Sequence, residues 1–191
     1  LGDHRQGRML CSPVRLLDCS IVADGGGAVV LTSAANARGL GVPAVRMRSL
    51  AMRMTHNSIA ALPDIKDFGM RAAGRDAYEA AGVGPEDIDL ALLHDAFTIS
   101  VLVTLDALGA CAPGEAGAFA KSGAISPGGV WPVNTHGGLL SQAHIGGMLH
   151  IVEAVRQLRG DAGRRQVPNA RLALVSGNGG VQTFTISITP T

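Results

Sequence analysis

Apolar and polar residues alternate from Ala44 to Met54 (AVRMRSLAMRM), the period of a strand with one exposed face. Just upstream, Asp24 to Ser33 (DGGGAVVLTS) reads as a glycine-led apolar strand. The period changes to that of a helix over DIKDFGMRAAGRDAYEAAGV, where Phe68, Ala72, Ala73, Ala77 and Ala80 share a face and Gly82 suits the stop. GPEDIDLALLHD is a turn followed by a short buried strand ending at His94, and a largely apolar helix is expected from Phe97 to Leu108. Ala112 to Pro132 is rich in Gly and Pro and reads as a long loop, a length that in a compact domain is usually functional or disordered. Met148, Ile151, Val152, Val155 and Leu158 then recur at helical spacing up to Gly160. RLALVSGNGG and VQTFTISITP are two final strands with a Gly-rich turn between them. Helices and strands alternate in the middle and two strands adjoin at the end, which argues for an α/β fold with a mixed sheet covered by helices. Residues 1–20 are mixed in character and read as irregular.

Composition narrows the class. Of 191 residues, 47% are apolar and 16% charged, so some apolar surface is expected to meet another chain. A net charge of +1 argues for neither a nucleic-acid nor a membrane partner. No apolar run reaches membrane-spanning length. The three cysteines, Cys11, Cys19 and Cys111, form no CxxC pair, so neither a metal site nor a disulfide framework is expected and a cytoplasmic location fits best. The opening LGDHRQGRML has no initiator Met and reads as the middle of something longer.

The candidate chemistry is histidine. His94 sits where a buried strand ends, the side on which ligands gather in α/β sheets. His136 and His144 lie within VNTHGGLLSQAHIGG, among small residues just before a helix. Asp95 is placed to cap the helix that follows it. The spacing leaves two readings open: a histidine site at which three segments converge, or hydrogen-bonded scaffolding with glycines that permit close packing.

In order, LLDCSIVADGGGAVVL, LLHDAFT, VNTHGGLLSQAHIGG and LVSGNGG resemble the C-terminal half of the thiolase superfamily, in particular its sterol carrier protein x and lipid-transfer branch. The resemblance implies a thiolase-like C-terminal domain over residues 21–191, a five-stranded mixed sheet covered by helices. Residues 1–20 become the tail of a missing N-terminal half that would carry the nucleophilic cysteine. HDAF matches the motif whose first residue helps to hold the thioester oxygen, which assigns His94, and QAHIGG matches the GHP motif, which assigns His144. These two are the candidate catalytic residues. Asn134, His136, Gly137, Gly138, Ser176, Gly177 and Asn178 are the candidate substrate-binding residues, Asn134 chiefly as a loop-shaping one.

In the resemblance, a second cysteine acts as acid and base, either in the CxG motif or in HDCF. Ser176 and Ala96 stand at those places here. A serine hydroxyl is too weak an acid to replace a thiol without strong activation. The main expectation is a thiolase-like acyltransferase acting on acyl-CoA thioesters. The first alternative is a thiolase-fold retro-aldolase cleaving the β-hydroxyacyl-CoA of sterol or lipid side chains. That group shares VNTHGG, pairs with an OB-fold, zinc-ribbon subunit and tends to carry tyrosines at the positions of His94 and His144. The second alternative is a non-catalytic lipid-transfer or scaffold subunit. No cofactor is implied beyond a coenzyme A thioester as substrate, and assembly is expected as a homo-oligomer or with a partner chain.

Overall fold

The alternating run forms the edge strand of the sheet. The computed structural model describes residues 2–62, 64, 66–178 and 183–190. Its elements are α1 (Gly2–Gln6), β1 (Met9–Cys11), β2 (Val14–Arg15), α2 (Ala34–Ala37), β3 (Val45–Arg53), α3 (Met70–Ala81), β4 (Leu90–Leu92), α4 (Thr98–Ala107), α5 (Ala116–Lys121), α6 (Gly138–Ser141), α7 (Met148–Arg159), β5 (Ala173–Asn178) and β6 (Thr183–Pro190). The main sheet runs β3-β6-β5-β4. β6 is antiparallel to both of its neighbours, and β4 lies parallel to β5 with Leu92 opposite Val175. This is the expected mixed sheet, with four strands among the described residues rather than five.

The run expected as a further strand, Asp24–Ser33, forms no ladder among the described residues. A strand needs a partner for its backbone as well as apolar side chains. The glycines of this run instead lie against the segment leading into and through α7. A Cβ on Gly27 would come within 3.0 Å of Met148 and 3.3 Å of Val152, and one on Gly25 within 3.4 Å of Ile145. Val30 and Leu31 are left 89% and 81% exposed, an apolar surface open to another chain. Two further expectations change. The Ala112–Pro132 segment contains α5. Residues 1–20 hold α1, the β1–β2 hairpin and a 3-10 turn at Leu16–Asp18, and they are tied to the sheet's end. The Ser20 amide donates to Ala96 O and the Thr98 hydroxyl to Asp18.

Helices cover both faces of the sheet. On one, Ala91, Leu93 and Leu174 pack with Met70, Tyr78, Val101 and Leu105 of α3 and α4. On the other, Leu90, Leu92, Ala173 and Val175 pack with Ala154 and Leu158 of α7. Each fully buried leucine contributes roughly 1.5–3 kcal/mol. In α3, Ala73 and Ala77 are buried as expected, while Ala80 is exposed, and Gly82 ends the helix at φ 65°.

Helix α7 departs further from its apolar pattern. Its buried stripe is His150, Glu153, Ala154, Gln157 and Leu158, whereas Met148, Ile151, Val152 and Val155 are only half-buried. The polar members are buried because each has partners. Thr135 Oγ1 donates to Glu153 at 2.8 Å, Arg165 pairs with Glu153 at 2.8 Å, and the Gln157 amide group bonds Arg165 O and the Val167 amide. The stripe therefore holds the 134–136 loop onto the helix. Among the described residues no helix is long and apolar enough to cross a membrane.

Candidate active site

His94 lies two residues beyond β4, and its place is set by Asn134. The Asn134 side chain accepts from Leu93 N at 2.7 Å and donates to Leu93 O at 2.9 Å, while its own amide donates to Ala91 O. One side chain thus does the work of a neighbouring strand where β4 has ended. Asn134 itself sits at φ 48°, a conformation that asparagine tolerates better than most residues. It shapes the loop that presents His94, as its motif implied.

His144 lies in the connection between α6 and α7, four residues before Met148. Its ring and that of His94 meet edge to face with centroids 5.8 Å apart. Its Nδ1 is 2.7 Å from the hydroxyl of Ser20. Ser20 is a residue that sequence reasoning missed. The contact spans 124 positions, and no local pattern marks it.

His136 and His150 form a second edge-to-face pair, with centroids 5.0 Å apart and His136 Nε2 3.1 Å from His150 Nδ1. His150 is fully buried. Its Nε2 lies 3.4 Å from Asp95 Oδ1, within ion-pair range but not aligned as a hydrogen bond. Asp95 does not cap α4, whose N-cap is Phe97. Its carboxylate instead accepts from Leu139 N at 2.8 Å and Leu140 N at 3.3 Å, so it caps α6. This explains the glycine pair. Gly137 and Gly138 both take positive φ, 102° and 65°, and a Cβ on Gly138 would fall on the Asp95 carboxylate. Besides Ser20, the sequence reading gave no role to His150 and assigned Asp95 to the wrong helix. His150 is the one with a readable signal, since His150, Glu153 and Gln157 recur at helical spacing.

Ser176 and Gly177 are buried on β5, one step beyond the Leu92–Val175 pairing. Asn178 ends that strand, and Gly179 and Gly180 of the same motif lie outside the described residues. The Ser176 hydroxyl has no hydrogen-bond partner among the described residues. The same residues include no cluster of His, Cys, Asp or Glu arranged to hold a metal.

The electrostatics favour neutral imidazoles. Burial, followed by the charges of His150 and His144, pushes His94 down to about 4. Burial, then His150, does the same to His136, also to about 4. Burial would raise Asp95, but its contact with His150 and the Leu139 and Leu140 amides outweighs that, so the carboxyl lies below its ordinary value. Both depressed rings stay neutral in the folded chain across pH 4–6.5, while the unfolded chain protonates them at 6.5. The unfolded state then binds more protons, so their contribution to stability is complete above pH 6.5 and is lost as pH falls towards 4. The loss is at most about 1.4 kcal/mol per pH unit for each ring. Urea unfolding at pH 7 and pH 4.5 should show a smaller acid-induced loss in His94→Asn and His136→Asn than in the wild type. An equal or larger loss in both variants would reject this assignment.

A mixed sheet covered by helices on both faces agrees with the fold that the motifs implied. The family model described as "Thiolase C-terminal domain-like" matches residues 51–189, and the chain belongs to that family. It is 39% identical, over 96% of its length, to the 17-hydroxy-3-oxo-4-pregnene-20-carboxyl-CoA lyase of Mycobacterium tuberculosis, and covers 48% of that protein. It is 36% identical to sterol carrier protein 2 of Oryctolagus cuniculus over 97% of the chain and 36% of the relative. Among solved structures, the "Ltp2-ChsH2(DUF35) aldolase" superposes with a TM-score of 0.93 at 36% identity, over 99% of this chain and 50% of that one. The chain thus spans about half the length of the lyase and of the aldolase chain that it matches.

Proposed function

We propose that the chain works as part of a thiolase-fold retro-aldolase that cleaves β-hydroxyacyl-CoA thioesters of sterol or lipid side chains. The observation that carries this reading is the likeness to an aldolase over 99% of the chain at a TM-score of 0.93, with a carboxyl-CoA lyase among the matching sequence relatives. Acyl transfer, the first expectation from the motifs, is less well supported than this alternative. The site's chemistry agrees. Retro-aldol cleavage breaks the bond between the α and β carbons, with electrons passing into the thioester carbonyl, so it needs donors at the thioester oxygen and a base at the β-hydroxyl. It needs no acyl-enzyme, which suits a site with Ala96 and Ser176 where the family's second cysteine stands. His94 and His144, ring to ring, are the donors for the oxygen. Asn134, Gly137 and Gly138 shape the loop beside them, with Ser176, Gly177 and Asn178 on the neighbouring strand.

A DUF35-type partner subunit belongs to this proposal, as does association through the apolar surface at Val30 and Leu31 and along β3, where Met47, Leu50 and Met52 are about half exposed. Light scattering should show the chain in an assembly. The deciding experiment supplies 17-hydroxy-3-oxo-4-pregnene-20-carboxyl-CoA to the purified protein with a DUF35-type partner. The aldolase reading expects a ketone and a shortened acyl-CoA. Acyl transfer is favoured instead by the retained His94–His144 pair. It predicts no such cleavage, and acyl exchange between a 3-ketoacyl-CoA and free coenzyme A.

A further inference from the structure

The His136–His150 pair and Asp95 make a continuous string whose hydrogen positions are set by charge. Asp95 is 2% exposed and His150 fully buried, so their contact is not screened by water. The carboxylate faces His150 Nε2 at 3.4 Å and favours a proton on that nitrogen. A neutral imidazole with its proton on Nε2 presents a bare lone pair at Nδ1. His136 Nε2, 3.1 Å away, must then carry the hydrogen that it donates to His150. The reverse arrangement would turn a lone pair of His150 towards the Asp95 carboxylate, which repels it. The same arithmetic leaves His136 Nδ1 as a lone pair, and this atom is buried with no hydrogen-bond partner among the described residues. A buried ring nitrogen without a partner is uncommon and costly. The string adjoins the first histidine pair, because Asp95 follows His94 directly in the chain.

We propose that His136 Nδ1 is the acceptor for a substrate hydroxyl, held in the lone-pair state by Asp95 and His150, and that it is the base of the cleavage reaction. This rests on the retro-aldolase reading. If His94 and His144 both serve the thioester oxygen, neither is free to deprotonate the β-hydroxyl, and a third group is required. In the step, the β-hydroxyl proton passes to His136 Nδ1. The oxygen's electrons form the new carbonyl, the α–β carbon bond breaks, and its electrons enter the thioester as an enolate. The same proton then returns from His136 to the α carbon, so no proton is gained or lost overall. Once protonated, His136 shares its charge through Nε2–H with His150, whose far side faces the Asp95 carboxylate. Burial opposes the added charge on His136 most, and of the charged and titratable groups around it His150 and Arg165 oppose it while Glu153 and Asp95 favour it.

Two measurements test this. Long-range nitrogen–proton NMR on the histidine-labelled protein at pH 7 should show His136 and His150 both protonated on Nε2 with bare Nδ1. A proton on Nδ1 of His136 overturns the proposal whatever the activity. The second is His136→Gln, whose side-chain amide can still donate to His150 while supplying no base. With 17-hydroxy-3-oxo-4-pregnene-20-carboxyl-CoA, it should lower kcat by roughly 10²–10⁴-fold with KM little changed. Cleavage at the wild-type rate in that variant overturns the proposal. If the wild type itself does not cleave, the aldolase reading fails, and the base role falls with it. A bare Nδ1 would then uphold the acceptor assignment alone.

Discussion

Asp95→Ala should destabilise the protein by about 3–5 kcal/mol, the scale for removing one partner from a buried charged contact. Three groups lose their partner together. The Leu139 and Leu140 amides at the start of α6 are left without an acceptor, and His150 loses the charge opposite its Nε2. Each stranded amide in the interior costs about 1–3 kcal/mol. Asp95→Asn should cost less, because an amide oxygen can still accept from Leu139 while its NH2 opposes Leu140. The single tryptophan, Trp131, is 5% exposed and reports unfolding by fluorescence in a urea titration. An Asp95→Ala protein within 1 kcal/mol of the wild type (order of magnitude of one ordinary surface substitution) would show that α6 is held by something else.

His144→Ala should reduce cleavage by roughly 10²–10⁴-fold while leaving stability almost unchanged, since the ring is only half-buried and its one side-chain hydrogen bond among the described residues is to a hydroxyl. Ser20→Ala separates orientation from chemistry. It removes the group that holds Nδ1 but keeps the imidazole, and should cost on the order of tenfold, one net hydrogen bond's worth. A serine hydroxyl can donate or accept, so it can keep its bond to His144 in either tautomer. Ser20→Thr, which retains the hydroxyl, should recover most of the rate. Steady-state kinetics on the three variants decides the matter. Equal activity in His144→Ala and the wild type would reduce the 142–147 loop to scaffolding.

Much of this was legible in the residue pattern. The strands at Val45 and Leu90, the helix ending at Gly82 and the helix over Thr98–Ala107 all follow from residue periodicity and a stop signal, although β3 buries Ser49 and leaves Met47, Leu50 and Met52 exposed. The Asp24–Ser33 run was misread because hydrophobicity identifies what can be covered, not what covers it. The face of α7 was misread for the opposite reason. Its deepest positions are His150, Glu153 and Gln157, polar groups that are buried because residues far away in sequence bond them. The site divides in the same way. His94, His144, Asn134 and the glycine pair could be read from motifs. Ser20, and Asp95 as the cap of α6, could not, because their partners lie 124 and 44 residues away.

The Asn134 clamp has a consequence for how the sheet meets other molecules. Ala91 N bonds Pro132 O, Asn134 N bonds Ala91 O, and both groups of the Leu93 peptide are taken by the Asn134 side chain. The outer rim of β4 is therefore capped against any incoming strand. At the other rim β3 pairs, among the described residues, on one side only, with β6. A sheet with one capped and one open rim can accept a single strand-paired neighbour. Two such chains joined rim to rim close on each other as an isologous pair and leave nothing to extend, whereas a sheet open at both ends could grow into a fibre.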